Sequence, residues 1–249
     1  MNIWLYSIIS VFIVSLISFS GALTLTIKKE KLKNFLIYFV SFSAGALLGD
    51  VFIHLLPEVV KEYSHSISLI FIYVLVGILT SFILEKIIYW RHCHLPITKT
   101  HIHNFAWMNL WGDFFHNIID GLTIAASYLL NIQAGVATTL AVVFHEIPQE
   151  IGDFGVLLHG GFQVKKALFL NFLTALSAFI GVIVSLLLNN KIEHLTLFLA
   201  PFAAGNFIYI ASSDLIPELH KETEIKKGLI QTITFLLGVL VMYGLLIIG

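Results

Sequence analysis

The sequence predicts an all-α integral membrane protein with eight transmembrane helices, in which helices 1–3 and 6–8 form an inverted repeat around helices 4 and 5. Three observations carry this: a composition too apolar for a soluble domain, basic residues that fall in alternate loops, and a short segment that occurs twice. Hydrophobic residues make up 58% of the 249-residue chain and charged residues 12%, with a mean hydropathy of +0.92. Soluble domains are about half apolar and about a quarter charged. The formal charge of -1 says nothing about nucleic acid, none is expected as a partner of this apolar chain, and the lone Cys93 excludes an intramolecular disulfide framework.

Crossing about 30 Å of hydrocarbon takes about 20 mostly apolar residues. Stretches of that kind run roughly over 3–27, 35–59, 67–89, 105–130, 134–159, 167–188, 196–219 and 228–248. The first lacks a basic leader and its positive charges follow it, so it reads as a retained span. The loops between spans are short, which leaves a single transmembrane domain over 1–249. Its repeats cover about 1–90 and 167–249, and its central helices about 104–160. Of 14 Lys and Arg residues, all but Lys61 and Lys191 fall in or beside the first, third, fifth and seventh loops. The positive-inside rule assigns those loops to the cytoplasm and puts both termini outside. A plasma or bacterial inner membrane is the expected location.

The repeated segment is "FSAGALLGDVFIHLLPE" (Phe42 to Glu58), which aligns without gaps with "FAAGNFIYIASSDLIPE" (Phe202 to Glu218) at an offset of 160 residues. The copies lie in spans two and seven, which cross in opposite directions. Inverted repeats are typical of secondary transporters, whose substrate sits near the bilayer midplane. Helix packing by small residues is the alternative source of the pattern.

Spans four and five carry the polar chemistry. In "WGDFFHNIIDGLTIAASY", His116 and Asp120 stand at i and i+4 on one helix face with Asn117 beside them. In "AVVFHEIPQEIGDFGVLLHGG", His145 and Gln149 share a face, and Glu146, Glu150 and Asp153 form the adjacent stripe. Pro148 donates no backbone hydrogen bond and is expected to kink the helix and free a carbonyl near His145. Three unpaired carboxylates in one span would cost on the order of 8–10 kcal/mol, and no Lys or Arg lies centrally in either span. A divalent cation or a hydrated proton path has to offset that cost. Imidazole with carboxylate and amide oxygen suits Zn2+, and with more oxygen also Fe2+ or Mn2+.

"HNIIDG" followed by "HEIPQEIGDF" resembles the paired signature of the ZIP family of divalent-metal transporters, in particular its LIV-1-like branch, whose fifth span reads His-Glu-x-Pro-His-Glu-x-Gly-Asp. "GALLGDVFIHLLPE", "LEK" at Leu84 to Lys86 and "FIYIASSDLIPEL" resemble further family segments. The resemblance implies uptake of zinc, in some members iron or manganese, toward the cytoplasm, with an elevator-like slide of spans one, four, five and six. It implies no enzyme activity and no organic cofactor, and it leaves a homodimer open. Carried over position by position, the metal ligands are His116, Asn117, Asp120, His145, Glu146, Gln149 and Glu150. Gln149 stands where many relatives have a second histidine, which predicts weaker zinc binding or a shift toward harder ions. Span six offers only Asn171 and hydroxyls where some bacterial relatives supply a carboxylate.

Asp50, His54 and Glu58 of span two and Asp214, Glu218 and His220 of span seven are then expected to flank the transport path, with Asp153 of span five. The loop "WRHCHLPITKTHIH" holds His92, Cys93, His94, His101 and His103, which either receive metal or are simply solvated. The expected mechanism is alternating access at a midplane site. A metal-selective channel or a metal-sensing membrane protein using the same site is the alternative. An intramembrane zinc protease fits worse, because the second histidine of His-Glu-x-x-His is replaced by Gln149 and preceded by Pro148.

Overall fold

The computed structural model describes residues 2–25, 29–89, 104–189 and 195–248. These form helices α1 (Ile3–Ile17), continued by a tight 3-10 stretch (Ser18–Leu25), and α2 (Lys29–Gly49), which passes through a π-helical stretch (Asp50–Leu55) into α3 (Leu56–Glu62). After them come α4 (Ile67–Tyr89), α5 (Asn104–Leu130), α6 (Ile132–His159), α7 (Val164–Ala175) and α8 (Ala178–Asn189). The chain ends with α9 (Leu195–Tyr209), a second π-helical stretch (Ile210–Leu215), α10 (Ile216–Leu219) and α11 (Ile225–Ile248). Among the described residues no strand is present, and six helical segments are long and apolar enough to cross a membrane: Ile3–Ala22, Leu36–Glu62, Ser64–Ile87, Val164–Asn189, Leu195–Leu219 and Ile225–Ile247. The two other long helices, α5 with 27 residues and α6 with 28, bear the polar clusters; a rise of about 1.5 Å per residue makes each roughly 40 Å long.

Both π-helical stretches sit just before a proline, Pro57 or Pro217. A proline ring clashes with the carbonyl four residues back and offers it no N–H, and a widened turn relieves the clash. The residue before each proline closes that wide turn, Leu56 N–H to Val51 O and Ile216 N–H to Ala211 O. The stretches are separated by the same 160 residues as the sequence repeat.

Glycines set the closest helix crossings. A Cβ on Gly45 would fall 2.0 Å from the carbonyl oxygen of Phe235, and one on Gly238 would fall 2.2 Å from that of Phe42, so α2 and α11 touch backbone to backbone. The crossing of α4 and α9 repeats this, with Gly205 against Val74 O at 2.1 Å and Gly77 against Phe202 O at 2.2 Å. Such crossings gain dispersion and weak Cα–H···O contacts where lipid supplies no hydrophobic drive. The outer partners of these pairs are the most lipid-facing helices, with 17% of the apolar window buried in Ser64–Ile87 and in Ile225–Ile247.

Span six is broken between α7 and α8, which its sequence does not announce. Ser177 N–H reaches back to Thr174 O (2.9 Å) and Phe179 N–H to Leu176 O (3.1 Å), tighter i to i-3 bonds that replace the regular ladder over this turn. The break docks on α5 through the Ser177 hydroxyl, which donates to Phe114 O at 2.7 Å. At the lysine-rich turn before α11, backbone N–H groups of Glu224 and Thr223 and the Lys227 ammonium hold the Glu222 carboxyl below its usual range.

Candidate metal centre

Asn131 caps α6 by accepting the Ala134 N–H at 2.8 Å, so α5 and α6 form a tight hairpin and lay their polar faces together. From α5 come His116 and Asp120, and from α6 His145 and Glu146. One ligand atom from each lies within 4.8 Å of the other three. His116 Nε2 is 3.2 Å from His145 Nε2, 3.3 Å from Glu146 Oε1 and 3.7 Å from Asp120 Oδ2. His145 Nε2 is 3.2 Å from Asp120 Oδ2 and 3.4 Å from Glu146 Oε1. A tetrahedron with metal–ligand bonds of about 2.0–2.2 Å has edges of about 3.3–3.6 Å. The cluster therefore has nearly the dimensions of a zinc coordination sphere.

The hydrogen bonding fits that geometry. His145 Nδ1 lies 3.1 Å from Ala141 O, a bond it makes as donor, so Nε2 is the ring nitrogen turned to the cluster, and it offers a lone pair when the ring is neutral. Neither oxygen of Asp120 or of Glu146 accepts a hydrogen bond. Among the described residues only the two histidines lie within ion-pair distance of these carboxylates. Buried carboxylates without donors are costly unless a cation accompanies them.

Pro148 stays inside a continuous α6, and the carbonyl it frees, Phe144 O, accepts the Ser43 hydroxyl of α2 at 2.6 Å. Asn117 is held by Asp113: its Nδ2 donates to Asp113 Oδ1 (2.8 Å) and Asp113 O (3.1 Å), and its Oδ1 is buried without a donor. Glu150 is fully buried against Asn171, whose Nδ2 lies 2.5 Å from Oε2. Gln149 and His116 instead line a cavity of about 600 Å3 that runs past Asp153, Asp214 and Glu85 to Glu218. Asp153 accepts from Asn109 Nδ2 at 3.0 Å, the Tyr209 hydroxyl donates to Glu85, and Glu218 pairs with Lys221 at the mouth. His220 lies exposed beyond it.

The polar residues of span two are held apart from that cavity. Asp50 is buried and accepts the Thr138 hydroxyl at 2.8 Å, and His54 Nε2 meets Met242 O at 2.9 Å. Glu58 is near the surface, 4.0 Å from Lys61. His92, Cys93, His94, His101 and His103 lie outside the described residues. Sequence reasoning missed Asp113, although it stands one helical turn before Asn117, and it missed Thr174 and Thr138, which only tertiary docking brings to their partners.

A family model described as "ZIP Zinc transporter" matches residues 1–104 and 94–246. The chain is 32% identical to the zinc transporter zipt-7.1 of Caenorhabditis briggsae, over 84% of this chain and 70% of that protein. It is 33% identical to the zinc transporter ZIP13 of Pongo abelii, over 82% and 64% respectively. The match to the zinc transporter ZIP10 of Mus musculus, 39% identical, covers 51% of this chain and only 15% of that much longer relative. With the family model spanning nearly the whole sequence, the chain belongs to the ZIP zinc transporter family, whose members are transporters and not enzymes.

Proposed function

We propose that this chain carries Zn2+ across a membrane into the cytoplasm by alternating access, using His116, Asp120, His145 and Glu146 as its primary ligands. The observation that carries this reading is the cluster itself: four ligand atoms at zinc-like spacings, buried, with carboxylate oxygens that receive no hydrogen bond. In this reading all eight helical rods cross the bilayer, and the lysine-rich ends face the cytoplasm. The inverted repeat is supported by the two proline-bounded π-helical stretches and by paired glycine crossings, Gly45 with Gly205 at the same offset of 160 and Gly77 with Gly238 one residue off it.

The conformation is then inward-facing. Zn2+ leaves the cluster past Gln149 and His116 into the acidic cavity, whose carboxylates attract the cation without the imidazoles that would hold it tightly. Asp50, His54 and Glu58 line the closed outer route, and capture there requires the buried segment of span two to open. Asn117, Gln149 and Glu150 stand around the primary cluster as further oxygen donors. Gln149 makes Fe2+ and Mn2+ reasonable competitors.

The test is uptake of radioactive zinc into sealed proteoliposomes, with iron and manganese as competitors, for the wild type and the double change His145→Ala, Glu146→Ala. Saturable uptake that disappears in the variant is the expected result. Equal flux from both proteins removes the cluster from the path, and flux that rises linearly with concentration makes the protein a channel.

A further inference from the structure

Outside the four-ligand cluster, the most completely determined polar contacts in the interior belong to Asp113, a residue that the transport reading does not use. Asp113 is 4% exposed and lies on α5 one turn before Asn117. Its Oδ1 accepts Asn117 Nδ2 at 2.8 Å, and its Oδ2 accepts the Thr174 hydroxyl from the last turn of α7. Asn117 Nδ2 also lies 3.1 Å from the Asp113 carbonyl oxygen.

Two acceptors on one side of an amide settle which way it points. A carboxylate oxygen and a carbonyl oxygen both require N–H, so the Asn117 NH2 must face Asp113 and its Oδ1 must face away. That oxygen is fully buried and receives no hydrogen bond. It is therefore an acceptor kept bare, on the residue adjacent to His116 and one turn from Asp120. The opposite orientation would present two N–H hydrogens to a cation, which repel it.

Thr174 makes the arrangement specific. Its hydroxyl occupies the other Asp113 oxygen, so the carboxylate is held from α7 while it holds Asn117 on α5. Three residues earlier on the same helix, Asn171 holds Glu150 of α6. The break after α7 lets this short helix dock with both donors inward, and the Ser177 hydroxyl on Phe114 O fixes that docking.

We infer that Asp113, braced by Thr174, is a positioning residue that fixes the Asn117 amide with its oxygen toward the cation site and its NH2 away from it. The inference rests on the cation-binding part of the proposed function but not on transport. Asp113 acts through Asn117 and contributes no ligand of its own.

The test is equilibrium Zn2+ binding to the purified full chain in detergent, counting only the component that His145→Ala abolishes, so that binding elsewhere does not enter. Asn117→Ala and Asp113→Leu are each expected to weaken that component about tenfold, the size typical of disturbing a ligand or its outer-shell partner. Combined, they should weaken it no further than either alone, because both remove the same oriented oxygen. Asp113→Asn keeps an acceptor for Asn117 and a donor for Thr174, and should stay within about threefold of wild type. Thr174→Ser should behave like wild type and Thr174→Val like a mild form of Asp113→Leu.

The inference is overturned if Asn117→Ala binds normally, if Asp113→Leu causes the same loss in the Asn117→Ala background, or if Asp113→Asn is as impaired as Asp113→Leu. The last result would make the negative charge the contribution that matters. Normal binding with no uptake in proteoliposomes would sink the transport reading while leaving the Asp113 assignment intact.

Discussion

At the scale of single residues, the centre depends on which atoms are left without partners. His145 spends Nδ1 on the Ala141 carbonyl of its own helix, so its remaining nitrogen has only the cluster to serve. Asp120 and Glu146 bring four carboxylate oxygens into the buried interior, and no protein group donates a hydrogen bond to them among the described residues. Gln149 is the residue where a small change should have a visible effect, because it stands half-buried where the cluster opens into the cavity. Gln149→His replaces an amide oxygen by an imidazole, and the expected outcome is a zinc KM lowered several-fold with little gain for manganese, measured by competition uptake. An unchanged zinc-to-manganese ratio would show that position 149 does not touch the cation. That His116, Asp120, His145 and Glu146 cluster was legible in the sequence, because the i and i+4 pair on one helix and the adjacent pair on the next are local features. Asp113 and Thr174 were not, since a carboxylate gains its role from a hydroxyl 61 positions away.

At the scale of elements, proline and glycine set the shape. Pro57 and Pro217 force the wide turns that precede them, and Pro148 is absorbed within α6 because Ser43 takes up the carbonyl it frees. The expected release of a carbonyl near His145 is met, and the hydroxyl that receives it comes from the repeated segment of span two. The break in span six was not legible, because Thr and Ser are common in unbroken spans and Thr234 bonds its own backbone in the same way inside a continuous α11. The glycine crossings give a direct prediction. Gly45→Ala and Gly205→Ala would each drive a methyl group into a backbone carbonyl that has little room to move, and each is expected to cost about 1–3 kcal/mol. Thermal unfolding in detergent should show a lowered Tm for both and none for Gly244→Ala, where the space is open. A Tm unchanged by Gly45→Ala would mean that the helices can separate without penalty.

At the scale of the whole molecule, the two copies of the repeated segment stand in different environments. His54 is buried, whereas its counterpart Asp214 in the second copy is exposed. In a Cys93→Ser background, Asp214→Cys should react with a membrane-impermeant thiol reagent supplied from the lysine-rich side, and His54→Cys should resist it from either side. Labelling of His54→Cys with Asp214→Cys protected would mean that the opposite state prevails in the bilayer. The all-helical class and the approximate limits of six apolar spans could be read from hydropathy, but the burial of each copy of the repeated segment could not, because it is set by the helices packed against it. The Ser43 hydroxyl has a mechanical consequence for any exchange between such states. It lies 2.6 Å from Phe144 O of α6 and 2.8 Å from Phe39 O of its own helix, so its one proton can return to α2 when α6 shifts. The contact therefore behaves as a clutch: it couples the two helices while they are seated together, and letting go leaves only the Phe144 carbonyl bare.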